Sequence, residues 1–183
     1  DTTKRGESYP EFDLLCVSRY ENYKKLETVV DVLVRLEHLR AVVVTDQKGK
    51  RVLYEYAKKT GVGSRLKLYS EVSDAFLSQL FEAGRVFLLP SCFEGFGLGV
   101  TEALSHKMPV VVSAQSPLCS YLEKVGFLVC GEEGVGAWAS AVERSLELQG
   151  SVKFKTELEF LYRRVPSWEQ TCGAVLDVYK SLW

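Results

Sequence analysis

The chain of 183 residues carries 23 Lys plus Arg against 24 Asp plus Glu, a formal charge of -1, with 46% hydrophobic and 26% charged residues. That balance is the composition of a soluble globular protein, so disordered and fibrous readings are excluded, and so is the broad basic footprint of a nucleic-acid binder. Five scattered cysteines, odd in number and never spaced as CxxC, argue against a disulfide framework or a zinc site and for free thiols in a reducing compartment. With no apolar run long enough to span a membrane and an N-terminus too polar for a signal peptide, a cytoplasmic location is expected.

Residues 1–11 read as a tail or linker remnant and 12–183 as one domain. Short runs rich in Val, Leu and Phe predict strands at 12–18, 40–45, 65–70, 85–90, 109–113 and 127–130. The longer amphipathic stretches between and after them predict helices at 24–38, 50–60, 73–83, 97–106, 117–125 and 135–148. Ser73-Asp74 supplies a start signal, and Gly61, Gly84 and Gly126 stand as stops. After residue 150 the alternation ceases, and two further helices are expected at 153–164 and 168–182. Strand and helix taken in turn predict an α/β fold: a Rossmann-like, doubly wound parallel sheet of about six strands, helices on both faces and the C-terminal helices added.

The stretch SCFEGFGLGVTEAL, residues 91–104, falls between the fourth strand and the fourth helix. Ligands of open parallel sheets bind there, and a helix N-terminus with glycines beside it suits a phosphate. A tight turn without a ligand is the plainer alternative. A nicotinamide fingerprint fails, because Val100 stands where its third glycine belongs and the strand PVVVS leads to no acidic residue for a ribose. A P-loop fails for want of Gly-Lys-Ser/Thr. Two carboxylates remain, Glu94 in the loop and Glu102 in the helix, placed to grip opposite ends of a bound diphosphate.

The run LLPSCFEGFGLGVTEALSHKMPVVVS, with a Glu, seven residues and a second Glu around Gly-Phe-Gly-Leu, resembles the donor motif of family 4 glycosyltransferases. These are retaining enzymes of the GT-B fold, and the likeness is to their C-terminal, donor-binding lobe. CVSRYENYKKLETVVDVL is similar to the family's first strand and loop, which implies that Arg19 and Lys24 hold the donor diphosphate, with Lys25 as substitute for Lys24. Cations there offset the charge that builds on a departing diphosphate. The stretch ending in Val72-Ser73-Asp74 resembles the segment whose backbone, near Val72, lies beside the nucleotide base. The resemblance also implies that Glu94 lies against the transferred sugar, that the N–H groups of Phe96, Gly97 and Leu98 meet sugar or phosphate, and that Glu102 binds the ribose. No cofactor and no metal are implied, and His38 and His106 read as isolated surface or packing residues. PSWEQTCGAVLDVYKSL is similar to the terminal helix that packs back across the two lobes.

Three stretches depart from the pattern. Thr45-Asp46-Gln47-Lys48-Gly49 replaces a Gly-x-Gly turn, Lys107 stands where glycine is common, and SAQSPLCSYLEKVG lacks the usual glycines and acidic residue. The function expected is donor binding for transfer of a hexose, mannose or glucose, from a UDP- or GDP-sugar to a glycan or lipid-linked acceptor. Its partners are the nucleotide sugar and an N-terminal acceptor lobe or separate acceptor subunit, with no nucleic acid and with membrane association only through that other part. The competing expectation is a non-catalytic interaction module or regulatory subunit with a relic donor site.

Overall fold

The computed structural model describes residues 11–116, 129–131, 134–148, 156, 157, 159 and 167–182. The tail at 1–10, the helix expected at 117–125 with its stop Gly126, and most of the helix expected at 153–164 lie outside the described residues.

Six parallel strands form one sheet in the order β3-β2-β1-β4-β5-β6. They are β1 (Leu14–Val17), β2 (Ala41–Val44), β3 (Leu66–Tyr69), β4 (Val86–Leu89), β5 (Val110–Ser113) and β6 (Val129–Gly131). The helices are α1 (Glu27–Arg35), α2 (Gln47–Lys59), α3 (Asp74–Ala83), α4 (Leu98–Ser105), α5 (Val135–Leu148) and α6 (Trp168–Ser181). The central strands are apolar throughout because helices cover both faces, as a buried parallel sheet requires. Alternate side chains point to opposite faces. Leu14 and Cys16 of β1 therefore pack with Val29, Leu33, Leu53 and Trp138 of α1, α2 and α5, while Leu15 joins Phe87, Leu80, Ala103 and Leu104 on the side of α3 and α4. No residue of α6 is buried. No helix among the described residues is long and apolar enough to cross a membrane.

Local chemistry sets the ends of these elements. The Ser73 hydroxyl accepts from the Phe76 N–H at 3.2 Å, the cap its sequence position predicts. Two expected helix starts are corrected. α1 begins at 27, not 24, because Asn22–Lys24 form a separate 3-10 turn and Lys25 takes φ 50°, which ends that turn. α2 begins at 47, not 50, because the Asp46 carboxylate accepts from the Gly49 N–H at 2.8 Å and caps the helix earlier.

α2 and α4 stop in the same way with different residues. In α2, Val62 N–H bonds to Ala57 O at 3.0 Å and Gly61 N–H to Lys58 O at 3.3 Å, with Gly61 at φ 77°. In α4, Met108 N–H bonds to Ala103 O at 2.9 Å and Lys107 N–H to Leu104 O at 3.0 Å, with Lys107 at φ 58°. Both are the paired bonds of a Schellman stop, whose left-handed residue is usually glycine. The departure at Lys107 is thus a lysine held in a backbone state that glycine adopts without steric cost.

Candidate functional site

β1 and β4 are neighbours in the sheet, yet the chain proceeds from them to opposite sides, β1 towards β2 and β4 towards β5. At such a switch point the outgoing loops part and leave a crevice beyond the strand ends, where open α/β sheets bind ligands. Val17 and Leu89, the last residues of the two strands, line this crevice with Ser18, Lys24, Glu94 and the segment Phe96–Gly99.

Lys24 Nζ donates to Glu94 Oε1 at 2.7 Å, and the two side chains are only 16% and 11% exposed. The two loops are also joined through backbone, since Cys92 N–H donates to Tyr23 O at 2.8 Å. Beside the pair the exposed rings of Tyr23 and Phe93 meet edge to face, 6.3 Å between centroids. Lys25, after its left-handed step, lines a different recess with Asn22, Thr28 and Asp31. Of the two candidate lysines, the chain therefore presents Lys24 to the crevice.

The glycines have distinct tasks. Gly97 caps α4 at φ 75°, a conformation that costs other L-residues about 1–2 kcal/mol. It offers no side chain to the first N–H groups of the helix, and Leu98 and Gly99, which carry two of them, line the crevice. An uncapped helix start of this kind favours an anion. A Cβ on Gly99 would lie 3.0 Å from Phe87 Cζ, so glycine lets α4 sit close on β4. A Cβ on Gly95 would meet nothing within 4 Å, which leaves that glycine's role to the loop and not to packing.

Beneath the ion pair, the Cys16 thiol is wholly buried, and burial pushes its pKa up to about 12, with the Glu94 charge adding and Lys24 opposing. Glu102 lies outside this recess, exposed on α4. Its carboxyl is held above its ordinary value chiefly by partial burial; the His106 charge opposes and Asp74 adds. His106 is half-buried and stacks on Phe81, 5.4 Å between centroids, while His38 is exposed.

The structure thus gathers Lys24, Glu94, Phe96, Gly97 and Leu98 at one crevice and does not bring Arg19, Lys25, Val72 or Glu102 to its lining. The Arg19 side chain is exposed and has no partner among the described residues. Val72 is half-buried and packs its side chain against the core on the α3 face. Sequence reasoning missed Asp46 as more than a departure from a glycine turn. An Asp directly before a helical pattern was the available signal for its capping oxygen.

These features define a Rossmann-like domain with a crevice at its switch point, beside the start of α4. Residues 3–159 match the family described as glycosyl transferases group 1, and the chain belongs to that family. It is 29% identical over 173 residues to D-inositol 3-phosphate glycosyltransferase of Mycobacterium tuberculosis, a match that covers 90% of this chain and 36% of that protein. The chain therefore spans about a third of the curated relatives it matches. Among solved structures, a glycosyltransferase from Rickettsia africae superposes with a TM-score of 0.78 at 16% identity, over 94% of this chain and 48% of the other. Sucrose-phosphate synthase from Thermosynechococcus elongatus superposes with a TM-score of 0.76 at 21% identity, over 94% and 46%. At these identities the structural likeness establishes the fold.

Proposed function

We propose that this chain is the donor-binding part of a retaining, metal-independent glycosyltransferase that transfers a hexose from a UDP- or GDP-sugar to a glycan or lipid-linked acceptor. The observation that carries the reading is the Lys24–Glu94 ion pair beside the uncapped start of α4. A diphosphate placed there meets the α4 N–H groups and the Lys24 ammonium, which offset the negative charge that grows on it as the glycosidic bond breaks. Glu94, on the other side of Lys24, faces the sugar, and Glu102 takes the ribose hydroxyls. A second lobe or subunit positions the acceptor, since transfer requires both reactants to be held in line. A mannosyl or glucosyl donor and a cytoplasmic site of action complete the reading, the latter supported by the free thiols of Cys16, Cys92 and Cys172.

Calorimetric or NMR titration with UDP, GDP and ADP in the presence of a chelator tests it. Binding of UDP or GDP at millimolar concentration or below, tightened by the attached hexose, is the expected result. Indifference to all three nucleotides overturns the proposal and favours a non-catalytic module.

A further inference from the structure

We propose that Asp46 is a positioning residue for the crevice: its second carboxylate oxygen tethers the loop that carries Lys24, so that Lys24 is held against Glu94. Asp46 stands at the end of β2, outside the recess, and its two oxygens do different things. Oδ1 accepts from Gly49 N–H at 2.8 Å and caps α2, while Oδ2 accepts from Tyr20 N–H at 3.0 Å across 26 residues of sequence. Both bonds go from backbone donors to a carboxylate, the stronger kind of hydrogen bond, and they hold the carboxyl below its ordinary pKa.

Tyr20 is held on several sides. Its phenol donates to Glu27 at the start of α1, and Lys48 Nζ lies 5.3 Å from its ring centroid. A Cβ on Gly49 would sit 2.7 Å from Tyr20 Cβ and closer still to Thr45 Oγ1, so the loop lies directly on the first turn of α2. Four residues beyond Tyr20 the chain delivers Lys24 to Glu94, and the Tyr23 carbonyl to the Cys92 N–H. The path from Asp46 to the ion pair is therefore short and continuous: carboxylate, Tyr20 backbone, one 3-10 turn, Lys24. The stretch Thr45–Gly49 thus acts on the site through Tyr20.

This inference rests on the reading of the crevice as a diphosphate site, and its test separates the two. Asp46→Ser keeps one oxygen to cap Gly49 and has none left for Tyr20. In the ligand-free protein, hydrogen exchange at the Tyr20 and Cys92 amides is expected to quicken by about tenfold, while the Gly49 amide keeps its protection. UDP or GDP, whichever the unaltered chain binds, is expected to bind about tenfold more weakly to the variant, while the matching nucleoside, which lacks phosphates for Lys24, binds equally well to both. Asp46→Asn, which turns an N–H group towards the Tyr20 donor, is expected to behave in the same way. Unchanged Cys92 exchange in both variants, or an equal loss for nucleotide and nucleoside, overturns the tether. Failure of the unaltered chain to bind any nucleotide overturns the site reading instead, and the two amides still decide the tether.

Discussion

Lys24 and Glu94 meet at 2.7 Å although 70 residues separate them and neither lies in an α-helix or a strand. Adjacency of β1 and β4 brings their loops together, and the left-handed step at Lys25 sends the next lysine elsewhere. Lys24→Ala is accordingly expected to weaken UDP or GDP binding by about tenfold or more, the scale of losing one charged hydrogen-bond donor to phosphate. Lys25→Ala should change it less than about twofold. Calorimetry on the two variants checks this; equal losses would mean that the crevice is not where the diphosphate sits.

Glu102 supports a pH prediction. Its carboxyl is held above the ordinary value, so on acidification it takes up a proton earlier than a free glutamate does. If the ionised form holds the ribose hydroxyls, nucleotide affinity falls as pH drops, and the fall begins above the ordinary carboxylate range. Glu102→Gln should remove that part of the pH dependence and lessen the preference for a ribonucleotide over its 2′,3′-dideoxy analogue. Titrations across pH with both nucleotides supply the measurement, and a variant with the native profile contradicts the assignment.

Lys107 is expected to be replaceable with profit to stability. Its φ of 58° carries a steric cost that glycine lacks, and its side chain is exposed. Lys107→Gly should raise unfolding free energy by about 0.5–1 kcal/mol in urea, the avoided strain less the added freedom of glycine in the unfolded chain. Gly97→Ala, at the other end of the same helix, should lower it by about 1–2 kcal/mol.

The Cys16 thiol gives an alkaline signature. Its folded pKa is raised from 9.0 to about 12, so its contribution to stability is fully present below its unfolded value and is lost as pH rises towards the folded one. Between about pH 8 and about pH 10.5 this one group removes roughly 2 kcal/mol. Tyr20, raised from 10.0 to about 12 chiefly by its bond to Glu27, acts in the same direction. Cys16→Ala should start from a lower stability and decline less steeply, which urea denaturation at the two pH values will show. In the native protein a thiol reagent should label exposed Cys172 and leave Cys16 unmodified.

Five strands were legible to within two residues at each end, because runs such as AVVV and VFLL are apolar on both faces and bounded by turns or charges. The sixth, expected at 127–130, is paired with β5 at 129–131. The start of α1 was misread because helix periodicity continues backwards through Asn22–Lys24, and no glycine marks the left-handed residue at Lys25. α2 starts three residues before its expected position because Asp46, where the family pattern has a glycine turn, is an ordinary N-cap. The place of Glu94 in the loop before α4, and a helix start near Gly97, were readable from local spacing. Which lysine faces Glu94, and that Asp46 reaches Tyr20, depend on backbone angles and on strand order, which spacing alone does not carry.

The bond from Cys92 N–H to Tyr23 O uses main chain on both sides. Its partners are indifferent to which side chains stand at those positions, provided 92 is not proline. Tyr23 and Phe93, exposed beside the ion pair, can therefore be exchanged without breaking the main-chain seam that joins the two loops. On the proposed reading of the crevice as a donor site, substitution beside it is a route by which the chain changes what it admits without rebuilding what it holds.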